Sequence, residues 1–217
     1  MQLFTELSEL IFPSRCISCA TLGLSLCSQC RRFWNPHIYK TQLKNLLVIS
    51  SVPYSDVAQK VILSAKESQI KKADELVSSA ISHSVGNVLR NQRCDFLVPI
   101  PSRPSAVRKR GRRFISEVSR DASLKFELPI HDLLLHTRTV KDQSGLHLQE
   151  RWNNLEGALV VSGRQRADGK ALLIDDLVTT GATLSEAARA LRYAGIEVIG
   201  AVTAAIAQPL RYRDEMG

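Results

Sequence analysis

The sequence predicts an α/β protein, a parallel sheet flanked by helices, with a small cysteine-rich module at its N-terminal end. Three observations carry this. In the C-terminal half, apolar runs at 171–174 and 198–203 alternate with a helical stretch at 182–193, which favours parallel strands joined by right-handed crossovers. Near the start, four cysteines fall in two C-x-x-C pairs. At 217 residues and 44% hydrophobic content, the chain can hold one α/β domain plus a small appendage. It divides accordingly into residues 1–42 and 43–217.

The elements follow in order. Leu3, Phe4, Leu7, Leu10 and Ile11 make a helical stripe interrupted by Glu6 and Glu9, so a short helix packed on the body is expected. A secretory leader would need a basic start and an unbroken apolar run. Cys16, Cys19, Cys27 and Cys30 come next. Each C-x-x-C turns two thiolates onto one point, and two such knuckles complete a tetrahedral site, with Gly23 in the short hairpin between them. Four thiolates suit a structural Zn²⁺, which makes the module a zinc ribbon; an iron–sulfur centre or a redox-active pair is the competing use. Cys94 stands alone and reads as a buried small hydrophobe. Clustered rather than scattered cysteines indicate a reducing compartment, and no apolar run approaches the roughly 20 residues of a membrane span. A cytoplasmic protein is expected.

Residues 43–52 read as an apolar strand, and 56–66 as a helix with Val57, Val61 and Ile62 on one face. Residues 72–90 form a stronger helix, in which His83 reads as a surface residue. The stretch 95–101 is a strand whose Pro99 and Pro101 break the ladder and force an irregular turn. A helix is expected over 114–126, strands over 132–135 and 159–162, and a polar stretch without periodicity between His136 and Asn154. The helix at 182–193 is capped by Gly195.

Two regions carry the chemistry. Residues 102–116 contain Arg103, Arg108, Lys109, Arg110, Arg112 and Arg113 with no acid, a pattern matched to bidentate phosphate recognition. The net charge of +8 agrees with a phosphate-rich partner, either a small ligand or a nucleic acid. Residues 171–183 then give an apolar strand, the pair Asp175-Asp176, and a Thr/Gly-rich turn leading into a helix. Such a turn is a phosphate site, because orphan N–H groups and the positive helix end converge there. Thr179, Thr180 and Thr183 add hydroxyls, and Gly181 permits close backbone approach. The two acids would repel a phosphate but suit a ribose diol or Mg²⁺, so the stretch reads as a cradle for ribose-5-phosphate. Because side chains alternate along a strand, the strand is expected to end at Ile174, leaving both acids on the turn. A P-loop is excluded at 163–170, where the glycine spacing is wrong and Ala171 replaces Ser or Thr.

Residues 171–183 resemble the phosphoribosyl pyrophosphate (PRPP) signature of type I phosphoribosyltransferases at every position. With the four cysteines, Val98-Pro-Ile-Pro101, the basic stretch and a block containing Arg138, Thr139, Gln143, Arg151 and Asn154, the order of motifs resembles the ComF family. These are phosphoribosyltransferase-like proteins associated with uptake of transforming DNA. The resemblance implies a type I phosphoribosyltransferase-like parallel sheet. It implies that Asp175 and Asp176 hold the ribose hydroxyls, that Val178, Thr179, Thr180, Gly181, Ala182 and Thr183 wrap the 5-phosphate, and that Pro101, Ser102 and Arg103 belong to a pyrophosphate loop. Arg138 would join the two acids as a catalytic group on a flexible loop, and Tyr54 and Lys66 match two further family positions. The implied cofactors are structural Zn²⁺ and Mg²⁺ with PRPP; the implied partners are PRPP or ribose-5-phosphate, single-stranded DNA and DNA-uptake proteins. The alternative is an amidophosphoribosyltransferase-like enzyme of nucleotide metabolism. One departure stands out: the family's Arg-Gly-Phe-Asn-Gln is here Arg110-Gly111-Arg112-Arg113-Phe114. The residues do not specify an acceptor.

Overall fold

The computed structural model describes residues 14–137, 157–163 and 167–207. Helix α1 (Ser28–Arg31) and a 3-10 turn (Arg32–Trp34) follow the first cysteine pair. Strands β1 (Tyr39–Leu43) and β2 (Leu46–Pro53) form an antiparallel hairpin, where the sequence predicts one strand over 43–52. The difference lies at the two-residue turn: Lys44 takes φ 45°, a left-handed conformation that closes a tight hairpin without the usual Asn-Gly signal. Leu43 therefore belongs to β1, which crosses the 42/43 division of the chain.

Helix α2 (Asp56–Ser68) starts at Ser55, whose hydroxyl accepts the Ala58 N–H at 3.2 Å, and stops at Gln69 in the left-handed region. Its buried face is Val57, Ala58, Val61, Ile62 and Ala65, where each Val or Ile contributes about 1.5–3 kcal/mol by leaving water. Helix α3 (Lys71–Leu89) buries Val77, Ile81, Val85 and Val88 in the same manner. His83 on α3 is half-buried and engages Ser51 Oγ through Nδ1 at 3.0 Å, so it is a structural link to β2 rather than a surface residue.

Strand β3 (Phe96–Pro99) leads to α4 (Pro104–Arg110), a helix absent from the sequence reading of this basic stretch; Pro104 begins it and Gly111 ends it at φ 70°. The helix expected over 114–126 is instead α5 (Phe114–Val118) and α6 (Arg120–Phe126). Buried Ser119 lies between them, its hydroxyl donating back to the Ile115 carbonyl at 2.7 Å, a local bond that competes with continuous helix. Among the described residues, strands β4 (Leu134–His136) and β5 (Leu159–Val161) form a separate two-stranded antiparallel sheet. Finally come β6 (Lys170–Val178), α7 (Ala182–Tyr193) and β7 (Glu197–Ile206).

Among the described residues, the main sheet has the order β1-β2-β7-β6-β3, with β1 antiparallel and the others parallel. One face packs on α2, α3, α5 and α6, including Leu172, Ile174, Val202 and Phe114. The other packs α7 and the β4–β5 pair over Ala171, Leu173 and Ala201. Cys16, Leu26, Cys30 and Trp34 join the first of these clusters, so the cysteine knuckles are fused to the body. No helix among the described residues is long and apolar enough to cross a membrane.

Candidate functional site

The site is built where β6 outlives one of its neighbours. Its ladder to β3 stops at Ile174 opposite Pro99, because the prolines that follow lack N–H donors, and only Ile100 N–H still reaches the Ile174 carbonyl at 2.8 Å. Its ladder to β7 continues through Asp175 opposite Thr203 to Val178 opposite Ile206. Asp175 and Asp176 therefore lie inside a strand paired on one side, not on a turn after Ile174 as the sequence predicts. Asp176 reaches Lys66 of α2, and Asp175 beside it lines the same opening. The missing neighbour brings both to the edge of one opening.

That opening is a cleft of about 320 Å³ at the carboxyl ends of the strands, the usual binding region of open parallel sheets. Asp175, Asp176, Leu177, Thr179 and Thr183 line one wall; Pro101, Ser102 and Arg103 line the other. Of the remaining predicted residues, Val178 is buried in the core, 2% exposed, and acts as packing. Thr180 turns inward to accept the Ala182 N–H at 3.3 Å. Gly181 takes φ 75° and caps α7 with no side-chain bond, and Thr179 and Thr183 on either side of it line the cleft. A Cβ at Gly181 would collide with the Leu43 side chain, so the residue is set by close approach as well as by φ. Arg138, with Thr139, Gln143, Arg151 and Asn154, lies outside the described residues.

Lys66 enters the cleft from α2 and meets Asp176 Oδ2 at 2.7 Å. Burial works to lower the Lys66 pKa, but the charges of Asp176 and Asp175 outweigh it and hold the ammonium above its ordinary range. Burial likewise works to raise Asp176, and the Lys66 charge overrides it, holding that carboxyl below its usual value. For Asp175 the balance goes the other way: burial first, then the Asp176 charge, push it well above the usual carboxylate range. Asp176 N–H donates to Asp175 Oδ1 at 2.9 Å. Two adjacent acids thus have opposite preferences, one fixed as an anion and one ready to keep a proton.

Beyond the predicted signature, Arg110, Ile115 and His136 also line the cleft. His136 Nε2 lies 3.1 Å from the Pro101 carbonyl, tying the end of β4 to the loop after β3. Neither Ile115 nor His136 has a sequence signal; β4 and α5 deliver them through tertiary packing.

The basic stretch is not the unbroken cationic face that its sequence predicts. Arg110 grips Glu67 at 3.0 and 2.5 Å, and Lys109 reaches the same carboxylate at 3.3 Å. Arg112 pairs with Asp74 at 2.8 Å and Glu117 at 3.0 Å, and Arg113 with Asp132 at 3.1 Å. Glu67 and Asp74 come from α2 and α3, some forty residues away in sequence, so the local lack of acids is offset in space.

At the other end, the ligand atoms of Cys16, Cys19, Cys27 and Cys30 all lie within 4.8 Å of one another and could hold a metal ion. The hairpin between the pairs is closed by Cys16 N–H to the Thr21 carbonyl at 2.8 Å and Ile17 N–H to the Ser25 carbonyl at 3.0 Å. Burial works to raise the Cys16 thiol, yet amides of Cys19, Cys27 and Ser18 bring it to about 6. Burial and the Cys27 thiol push Cys30 up to about 12. A divalent ion held there would take all four as thiolates and so resolve that conflict. Cys94 stands apart, half-buried, its thiol against the Phe96 carbonyl at 3.2 Å.

Competence protein F of Haemophilus influenzae is 29% identical over 106 residues, which cover 48% of this chain and 46% of that protein, so the match spans about half of each. A solved adenine phosphoribosyltransferase is similar with TM-score 0.46 and 11% identity, covering 88% of this chain and 96% of its own. The enzyme from Trypanosoma brucei, solved with AMP, pyrophosphate and ribose-5-phosphate, gives TM-score 0.44 at 10% identity, covering 82% and 94%. The phosphoribosyl transferase domain matches residues 106–215, just over half of the chain, from α4 through β7 and including both acids and the loop after them. The chain belongs to the phosphoribosyl transferase domain family.

Proposed function

We propose that the chain binds PRPP, or ribose-5-phosphate, with Mg²⁺ in the cleft beside β6. The observation that carries this reading is the convergence of Asp175, Asp176, Thr179, Thr183 and Arg103 on one opening of about 320 Å³. In this reading the two carboxylates accept hydrogen bonds from the ribose diol. The Thr179 and Thr183 hydroxyls and the first N–H groups of α7 take the 5-phosphate. The Pro101–Ser102–Arg103 segment faces the pyrophosphate, and Arg138 is the third catalytic group. The acids also favour positive charge developing at the sugar C1 as pyrophosphate leaves, which is how the same site would support transfer.

PRPP with Mg²⁺ is expected to raise the melting temperature, since a ligand at 100 times its Kd adds about 2.7 kcal/mol to stability. A thermal shift titration checks this. No shift at millimolar PRPP would remove the reading. Pyrophosphate release in the presence of amines and bases then separates turnover from binding alone.

Similarity to Competence protein F supports a second reading, in which the same protein works in DNA uptake and contacts single-stranded DNA. The net charge of +8 favours such a partner. Within the basic stretch, Lys109 and Arg113 keep their side chains 78% and 66% exposed despite their ion pairs. Reversing both to Glu is expected to weaken oligo-dT binding and flatten its salt dependence, by about 0.7 in slope for each phosphate no longer neutralised. An unchanged slope places any DNA surface elsewhere.

A further inference from the structure

A second cavity, about 310 Å³, is lined by Pro99 and by the same Ile100–Ser102 segment that walls the sugar-phosphate cleft. Ile100, Pro101, Ser102, Ile115 and His136 line both. Its remaining surface differs in character. Pro104 and Val107 of α4 and Leu134 and Leu135 of β4 give it apolar walls, and its charged groups are Arg108, Arg113 and Asp132.

Those charges are not equivalent. Asp132 is already engaged twice, by Arg113 Nη1 at 3.1 Å and by Ser116 Oγ at 2.9 Å, so the Arg113–Asp132 pair is internally neutralised. Arg108 is exposed and has no hydrogen bond or ion pair among the described residues. The cavity therefore combines apolar walls with one uncommitted guanidinium. Its volume is at the small end of the range for small-molecule sites, where apolar lining with few polar groups is the rule. A flat ring fits the prolines and aliphatic side chains, and a carboxylate on that ring suits the planar fork of Arg108.

We propose that this second cavity binds a compact aromatic acid, a single or fused ring bearing one carboxylate, with Arg108 as its anion partner. The site does not depend on the sugar-phosphate reading, because binding is measured without PRPP. Ligand-observed NMR with benzoate, nicotinate and anthranilate, against neutral benzamide, reads it directly. The acids are expected to bind at least about tenfold more tightly than benzamide, the margin of a charge-assisted bond. Arg108→Gln is expected to erase that margin, and Val107→Trp to block acids and amide alike by filling the space. Both variants should keep the cooperative melting transition of the unmutated protein, which reports that they fold. A preference for acids that survives Arg108→Gln, or no preference in the unmutated protein, overturns the proposal whether or not PRPP binds.

Discussion

Asp175→Asn is expected to stabilise the free protein at neutral pH while abolishing the PRPP-induced shift, and Asp176→Asn to destabilise it. The two acids are neighbours with opposite electrostatic circumstances. Asp176 is an anion paired with Lys66 at 2.7 Å, with side chains 7% and 25% exposed. Removing its charge takes the nearest counter-ion from a mostly buried ammonium and leaves only the neighbouring Asp175 carboxyl, a loss of up to about 3 kcal/mol, or roughly 8 °C in a domain of this size. Asp175 has the reverse problem, since its pKa is raised by burial and by the Asp176 charge. A carboxyl whose folded pKa exceeds its unfolded value binds more protons in the native state, so stability falls as pH rises from the unfolded value of 3.8 toward the folded one. Asparagine cannot ionise, and the fall disappears. Asp176, with a lowered pKa, contributes stability above 3.8 that is lost as pH falls through its folded value.

The ligand reverses the Asp175 preference, because accepting hydrogen bonds from a diol calls for the carboxylate. PRPP binding should therefore release a proton and tighten as pH rises through the Asp175 pKa. Calorimetry in buffers of different ionisation enthalpy measures that proton. Melting curves of the two variants from pH 4 to 9 give the stability signs, and a lower melting temperature for Asp175→Asn at neutral pH contradicts the account. A stability gain coupled to a binding loss would mark Asp175 as a residue kept for its ligand and not for the fold.

The reason these acids were legible in sequence, and their roles were not, is physical. The apolar run 171–174 and the Thr/Gly turn are local signals, and the structure puts a strand and a helix start there. Where the strand ends is a different matter. It depends on whether β3 and β7 continue beside it, and only β7 does. The same limit applies to the arginines. Residues 102–116 contain no acid, but Glu67 and Asp74 arrive from α2 and α3 and convert Arg110 and Arg112 from free cations into structural ones. Lys66 resembled a family position in sequence, but its partnership with Asp176 is a contact across more than a hundred residues. Helix α4 was hidden because six basic residues read as a ligand patch rather than by their spacing. The cysteine cluster, by contrast, was readable in full, since two short knuckles need only local turns to bring four sulfurs together.

That cluster carries the other large effect. We expect one zinc per chain, and its removal by a chelator, or Cys19→Ser, to destabilise the whole molecule and not the knuckle alone. Cys16 and Cys30 are 3% and 8% exposed and lie in one apolar cluster with Leu26, Trp34, Val57, Val61 and Ala205. Lys60 of α2 also donates to the Ser18 carbonyl at 2.7 Å, binding the first knuckle to the helix that supplies Lys66. Structural zinc sites in small domains are worth roughly 10–16 kcal/mol of apparent folding energy, comparable to the entire 5–15 kcal/mol stability of a typical domain. Losing the ion exposes four crowded thiols and loosens the packing around Trp34, so the main transition should move down, with no separate early melt. Trp34, 3% exposed, should report it as a red shift in emission. Cys94→Ser is the control: its thiol donates to the Phe96 and Lys170 carbonyls at 3.2 and 3.6 Å, it is not one of the four clustered cysteines, and metal content should not change. A melting curve and emission spectrum indifferent to chelation would mean that the four cysteines hold the fold without a metal. Visible charge-transfer absorption in the purified protein would assign them to iron and sulfur instead.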